Sequence, residues 1–336
     1  MQLTAAWKDL HDWTTNQGVK NSTAASLLAF AGGNPLISVG MKQAEIPVLE
    51  EIVGYVLERA PDHLRRFIDA AEQDPDDKEK ALLALNRGWV LMEEICETMR
   101  DKISPALNSH ETVFSIAANW KQTQIADLPP SPRPLPLPEM AFACRLADRD
   151  LFLEGCNDIL IMLDKFVDLV REIEPNSIPE NYRVPRPDEE ALAGGTRYFY
   201  SSLSRQVPLE GFEPQLLVGD NAVIAGYSMR QVDAMLAGEA PDILPSWIQA
   251  DSPVAVISYA NFAGMIEAVR PWAVYGIGLS GIDLDAPVAD EEGPGPTPND
   301  LLQIWDTLTE LGQSYATATV QPNGTLITRW QWTNAN

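Results

Sequence analysis

"EMAFACRLADRDLFLEG" (residues 139–155) and "SPVAVISYANFAGMIEA" (residues 252–268) decide how this chain is read. Placed with Glu139 on Ser252, they align without a gap. Ala147 meets Ala260, Asp148 meets Asn261, Leu153 meets Ile266 and Glu154 meets Glu267. Each stretch opens with a short apolar run of strand type. Asp148 or Asn261 then stands where a helix N-cap belongs, because its side-chain oxygen can accept a backbone N–H that the first helical turn leaves unpaired. An apolar-periodic helix follows in both.

A weaker third copy begins at Asn34, in "NPLISVGMKQAEIPVLEEIVGYVLE". Its strand runs from Leu36 to Met41 and its helix from about Ile46 to Arg59. Repeats of this length are domain-sized units rather than solenoid turns. Each copy also closes in strands. "SYATATVQPNGTLITRWQW" holds Asn323-Gly324 between two alternating runs, the signature of a type I′ hairpin. "PQLLVGDNAVIAGYS" repeats the pattern with its turn at Asp220-Asn221, preceded by a strand from Thr196. "ETVFSIAANW", from Glu111, is the matching strand of the first copy. It follows a long helix, about Asp76–Ile103, whose Leu82, Leu85, Trp89, Met92, Cys96 and Met99 predict one buried stripe.

The expected fold is therefore α+β. Three related strand–helix–hairpin units carry a mostly antiparallel sheet with helices packed on one face, and extra helices occupy residues 1–31, capped at Asn21 or Ser22. The expected units are 1–127, 139–240 and 241–336. The run 128–138 contains six prolines in "PPSPRPLPLP" and its flank, and predicts an extended polyproline II connector. Its Arg133-Pro134-Leu135-Pro136-Leu137-Pro138 misses an SH3-type docking frame because Glu139 holds the last position. Residues 174–195 and 281–299 are long, Pro-rich and acidic, and predict further connectors.

Composition narrows the function. Asp and Glu number 48 against 24 Lys and Arg, for a net charge of −24. A surface that acidic repels phosphate backbones and anionic lipid, so neither nucleic acid nor a membrane surface is an expected partner. No apolar run reaches the ~20 residues of a membrane helix. The start "MQLTAAWKDLHDW" has no basic segment ahead of an apolar one, so it does not read as a signal peptide. Cys96, Cys144 and Cys156 lie in apolar runs without CxxC spacing, which predicts buried thiols with at most one disulfide and no zinc site.

Chemistry-bearing patterns are sparse. Histidine occurs only at His11, His63 and His110, and no lysine follows Lys165. The second and third units thus lack the means for a Ser-His-Asp triad, a Cys-His pair or a Schiff base of their own. His63 and His110 read as a helix-start and a turn residue. No phosphate loop is present, and Gly276, Gly278 and Gly281 in "YGIGLSGID" read as an element end rather than a cradle. Expected catalytic residues, metal ligands and cofactors are none.

Three patterns still carry alternatives. Asp150, Glu154 and Asp158 fall at i, i+4 and i+8 on one helix, as a divalent-metal strip or an acid/base pair for glycoside cleavage would require. Asp283, Asp285, Asp290, Glu291 and Glu292 cluster on a loop without calcium-loop spacing. Trp330 and Trp332, two apart in the terminal strand, share a face. They are the candidate ligand-binding residues, as a platform for a sugar ring or a partner side chain, with core packing against Trp305 as the competing role. Asn21 and Asn323 match the glycosylation sequon, although Asn323 already has its turn role.

"LPEMAFACRLADRD", "LLVGDNAVIAGYSMRQVDAMLAG" and "TATVQPNGTLITRW" together resemble a group of uncharacterised bacterial proteins of planctomycete type. That resemblance covers about the last two hundred residues. It implies an exported protein, with a leader not present in this sequence, and transfers no catalytic residue. The expected function is a non-enzymatic structural or interaction protein with an acidic surface and a protein partner. The alternatives are a carboxylate-dependent hydrolase, metal-assisted or glycoside-cleaving, and a small-ligand or carbohydrate-binding module.

Overall fold

The structure, a computed structural model, describes residues 23–42, 47–71, 74–107, 111–125, 128–204, 209–238, 248, 254–280, 298–320 and 326–333. In chain order, α1 (Ala24–Leu28) leads to β1 (Ile37–Lys42), and the long helices α2 (Pro47–Ala70) and α3 (Pro75–Thr98) follow. Asp74 caps α3 by accepting the Asp76 N–H, and Pro75 fills a first-turn position that needs no donor. α3 loosens into a π-helical turn, Met99–Ile103. Strands β2 (Glu111–Gln122) and β3 (Leu135–Arg145) come next. Asp148 then caps α4 (Arg149–Ile173), accepting the Leu151 N–H at 2.9 Å as its side chain predicts.

Four short strands follow: β4 (Asp188–Leu192), β5 (Gly195–Phe199), β6 (Gln215–Gly219) and β7 (Ala222–Gly226). Asp220-Asn221 joins β6 to its antiparallel neighbour β7, as expected. After α5 (Met229–Leu236), β8 (Val256–Asn261) feeds α6 (Phe262–Leu279). Asn261 accepts the Gly264 N–H at 2.9 Å, the counterpart of the Asp148 cap. Helix α7 (Pro298–Thr309) and strands β9 (Gln313–Val320) and β10 (Leu326–Thr333) complete the chain. β9 and β10 pair antiparallel from Val320–Leu326 outward, while the Asn323-Gly324 turn itself lies outside the described residues, as do residues 1–22 with Asn21 and Ser22.

The fold is α+β, built as two compact units. Segments 44–110 and 145–187 make a helical unit of α2, α3, the π turn and α4. The other described residues make a sheet unit: one ten-stranded sheet in the order β10-β9-β8-β1-β2-β3-β7-β6-β5-β4. Strands from all three expected segments enter this one sheet. Each segment's opening strand (β1, β3, β8) lies beside a strand that closes the same segment (β2, β7, β9).

Residues opposite one another in antiparallel strands share a face, so register sorts the side chains. One face carries Tyr315, Tyr259, Ser38, Ser115 and Ala141 in a line, with Ile257, Gly40, Val113 and Ala143 beside it. These residues are buried. Small side chains here let helices lie close: a Cβ on Gly40 would stand 2.8 Å from the Leu27 Cβ of α1, and one on Gly226 would stand 2.8 Å from Val232 of α5. The core is Leu27, Leu28, Ile224, Val232, Met235, Ile257, Tyr259 and Tyr315 with their neighbours. A polar seam runs through it. Gln231 donates to Ser115, and Ser115 donates to the Ala31 carbonyl. The opposite face is not bare of helix either, since Phe262 at the start of α6 stacks on Trp332 of that face.

Three further expectations change. The proline run is not wholly a connector: Leu135–Pro138 belong to β3, which is central in the sheet, and Leu135 and Leu137 are buried. A strand tolerates Pro138 there because β2 bulges opposite it, the register jumping from Ala117–Glu139 to Trp120–Leu137. The bulge turns the Asn119 N–H onto the Glu139 side chain instead of a strand carbonyl, at 2.8 Å. The acidic connector 174–195 contains β4 and the start of β5, and Gly195 (φ +156°) is forced to glycine there by Val218 O, 2.4 Å from where a Cβ would sit. Finally, the α3 stripe is only half-buried, and Met92 and Met99 are exposed, because α2 and α4 cover only part of its circumference.

Candidate functional site

The carboxylate strip lies in the helical unit. The Asp148 cap starts α4 in a frame that brings Glu154 and Asp158 to the π turn of the preceding helix. Close packing of α4 on that turn depends on Gly155, where a Cβ would stand 2.7 Å from Ile103. Lys102 of the π turn donates to Glu154 and, at 2.6 Å, to Asp158. These two carboxylates hold the Lys102 ammonium above its ordinary value of 10.5. A cleft of about 330 Å³ opens beside them, lined by Glu94, Glu97, Thr98, Asp101, Lys102, Asp158, Ile161, Met162 and Lys165. Asp150 is exposed one turn away. The strip is thus an ion-pair triad: the cation sits where a divalent metal would have to bind, and both carboxylates accept from it. Among the described residues no three His, Cys, Asp or Glu side chains are arranged to hold a metal ion.

The other titratable candidates are placed as follows. His63 is exposed on α2, and His11, His110 and the Asp283–Glu292 cluster lie outside the described residues. Gly276 and Gly278 form the last turn of α6, a helix end and not a phosphate cradle. All three cysteines are free thiols, and each is half-buried rather than buried as expected. Burial pushes the Cys144 thiol up to about 11 and raises that of Cys156, which makes both poor nucleophiles.

The aromatic pair occupies the sheet unit's terminal strand. Trp330 and Trp332 share a face, with ring centroids 5.8 Å apart and edge to face. Trp332 is half-buried, its ring stacked 4.5 Å from that of Phe262. Trp330 is 65% exposed. Trp332 thus packs and Trp330 projects, and the packing partner is Phe262 of α6.

Register extends this feature beyond the terminal strand. Trp330 lies opposite Ala316, Ala316 opposite Ser258, Ser258 opposite Val39, Val39 opposite Phe114, and Phe114 opposite Phe142. One row therefore crosses β10, β9, β8, β1, β2 and β3, with Phe114 (36%) and Phe142 (43%) exposed at its far end. The neighbouring row is Trp332, Ser314, Ala260, Ile37, Ile116 and Met140, the last also exposed. The exposed large side chains of this face stand at its two ends, Trp330 on β10 and Phe114, Phe142 and Met140 on β2 and β3, with small or half-buried residues between them. Phe114, Phe142 and Met140 were not among the sequence candidates. Their signal was the alternation Met140-Ala141-Phe142-Ala143, large against small, which identifies a strand but not which side is open. Comparison of the chain with protein-family models, with curated proteins and with solved structures finds no match.

Proposed function

We propose that this chain is a non-enzymatic interaction protein whose working surface is the aromatic face of its sheet, from Phe142 to Trp330. The observation that carries it is the in-register row ending in exposed Phe114, Phe142 and Trp330. Aromatic side chains give large, stiff contact area at small entropic cost, which is why they dominate protein–protein contacts. Two of the three carboxylates that would have served hydrolysis, Glu154 and Asp158, pair with Lys102, which supports a scaffold over a catalyst. The division into three related segments fits the same picture. Each opening strand beside its own closing strand supports a repeat that has been merged into one broad sheet.

The test is a selection of displayed peptides on the intact protein, followed by affinity measurements on Trp330→Ala, Phe114→Ser and Phe142→Ser variants. Selected peptides are expected to lose about tenfold or more on these substitutions. Affinities unchanged by all three variants place the binding surface elsewhere and end the proposal. Tryptophan quenching by a soluble oligosaccharide, abolished in Trp330→Ala, replaces the protein partner with a sugar.

A further inference from the structure

We propose that two copies of this chain pair antiparallel along β10, so that one sheet runs unbroken across a two-fold axis at Trp330. The proposal rests on that reading of the sheet face and goes beyond it, since edge pairing would carry the face into a second copy.

The two edges of the sheet are unlike. β4 has five residues, and Asp188, Glu189 and Glu190 are exposed on it. A short edge carrying adjacent carboxylates resists strand addition. β10 has eight residues and no carboxylate, and Ile327, Thr328, Arg329 and Trp330 are exposed. Among the described residues no strand lies beyond it. In a chain of net charge −24, β10 is an edge where a second copy can approach without setting carboxylate on carboxylate.

Symmetry then limits the register. A two-fold axis perpendicular to the sheet leaves every side chain on its own face. Opposed residues share a face, so each must pair with one of the same parity, and one residue meets its own image at the axis. Axes at Arg329 or at Trp330 use nearly the whole strand. The first opposes two guanidinium groups. The second opposes Trp330 to the second copy's Trp330, Arg329 to Gln331 and Thr328 to Trp332. It also sets the row from Phe142 to Trp330 end to end with the same row of the second copy. Because β4 resists addition, growth stops at two chains and does not run on into a filament.

Sedimentation equilibrium of the intact chain over about 1 to 100 μM tests this. The expected result is a dimer whose fraction rises with concentration. Trp330→Lys opposes two ammonium groups at the axis and Trp330→Glu two carboxylates, so each weakens dimerisation by about tenfold or more. Mixing the two variants restores the dimer, because lysine then faces glutamate. Circular dichroism checks that both variants keep the fold, as an exposed position allows. A wild type that stays monomeric, or variants that dimerise like wild type, or a mixture that gains nothing, each overturns the proposal. A monomeric wild type whose selected peptides still depend on Phe114 and Trp330 removes the dimer alone. Loss of both removes the binding face as well.

Discussion

Glu139 offers the sharpest test of how the sheet tolerates proline in its centre. Its side chain is 0% exposed. It accepts the Asn119 N–H at 2.8 Å and the Ser228 hydroxyl at 2.5 Å. The first bond forms where β2 bulges opposite Pro138, and the second comes from Ser228 at the start of α5. Removing the side chain in Glu139→Ala leaves both donors without their acceptor and opens a cavity. Hydrogen bonds to a carboxylate contribute about 1.5–3 kcal/mol each, so the expected loss is roughly 3–6 kcal/mol. Glu139→Gln keeps an oxygen for Asn119, and the Ser228 hydroxyl can rotate to accept from the new amide. Its cost should be about 1 kcal/mol or less. Glu139→Leu fills the space without an acceptor and should fall between the two. Urea unfolding of the three variants at pH 7, followed by circular dichroism, reads these differences as shifts in midpoint at constant slope. An alanine variant within about 1 kcal/mol of wild type refutes the reasoning. So does a glutamine variant as damaged as alanine, because then charge and not hydrogen-bond geometry holds the bulge.

Two further outcomes follow from the ionisable groups. The Lys102 pKa is raised by Asp158 and Glu154, so its ion pairs stabilise the folded chain fully below the unfolded lysine value of 10.5 and are lost as pH rises through the higher folded value. Thermal melts between pH 9 and 12 should therefore show a smaller alkaline drop in Lys102→Gln than in wild type, and equal drops would remove Lys102 from the linkage. For the Cys144 thiol, a pKa of about 11 leaves roughly a thousandth as thiolate at pH 8. Mass-resolved alkylation with iodoacetamide should label Cys144 far more slowly in the native chain than in urea, and equal rates would show that its burial does not protect it.

Local chemistry was legible in the sequence wherever a residue acts on its own neighbours. Asp148 and Asn261 cap their helices because the acceptor and the N–H are three residues apart. Asp220-Asn221 makes its turn because both residue types tolerate the backbone angles of a two-residue hairpin connection. What failed to show depends on distant partners. Pro136 and Pro138 read as a connector until β2 supplies a bulge and Glu139 supplies an acceptor. The i, i+4, i+8 carboxylates do share a face of α4, but the lysine that occupies Glu154 and Asp158 comes from a different helix. β4 hides in an acidic loop because an edge strand needs charge more than it needs apolar alternation. Trp330 and Trp332 were recognisable as a pair, while the row joining Trp330 to Phe142 exists only through the registers of five strand pairings.

The place of β8 between β9 and β1 has a consequence for how the protein is made. β2 leaves the ribosome well before β8, so one neighbour of β1 is at hand while the other belongs to the last third of the chain. At ribosomal speed, the roughly 140 residues between the end of β2 and the end of β8 take on the order of ten seconds to emerge. Through that interval the outer edge of β1 is a nascent-chain hazard, open to any extended segment nearby. The helical excursion after β3 is synthesised in the same interval, so the growing chain must fold one unit while it shields an unfinished seam in the other.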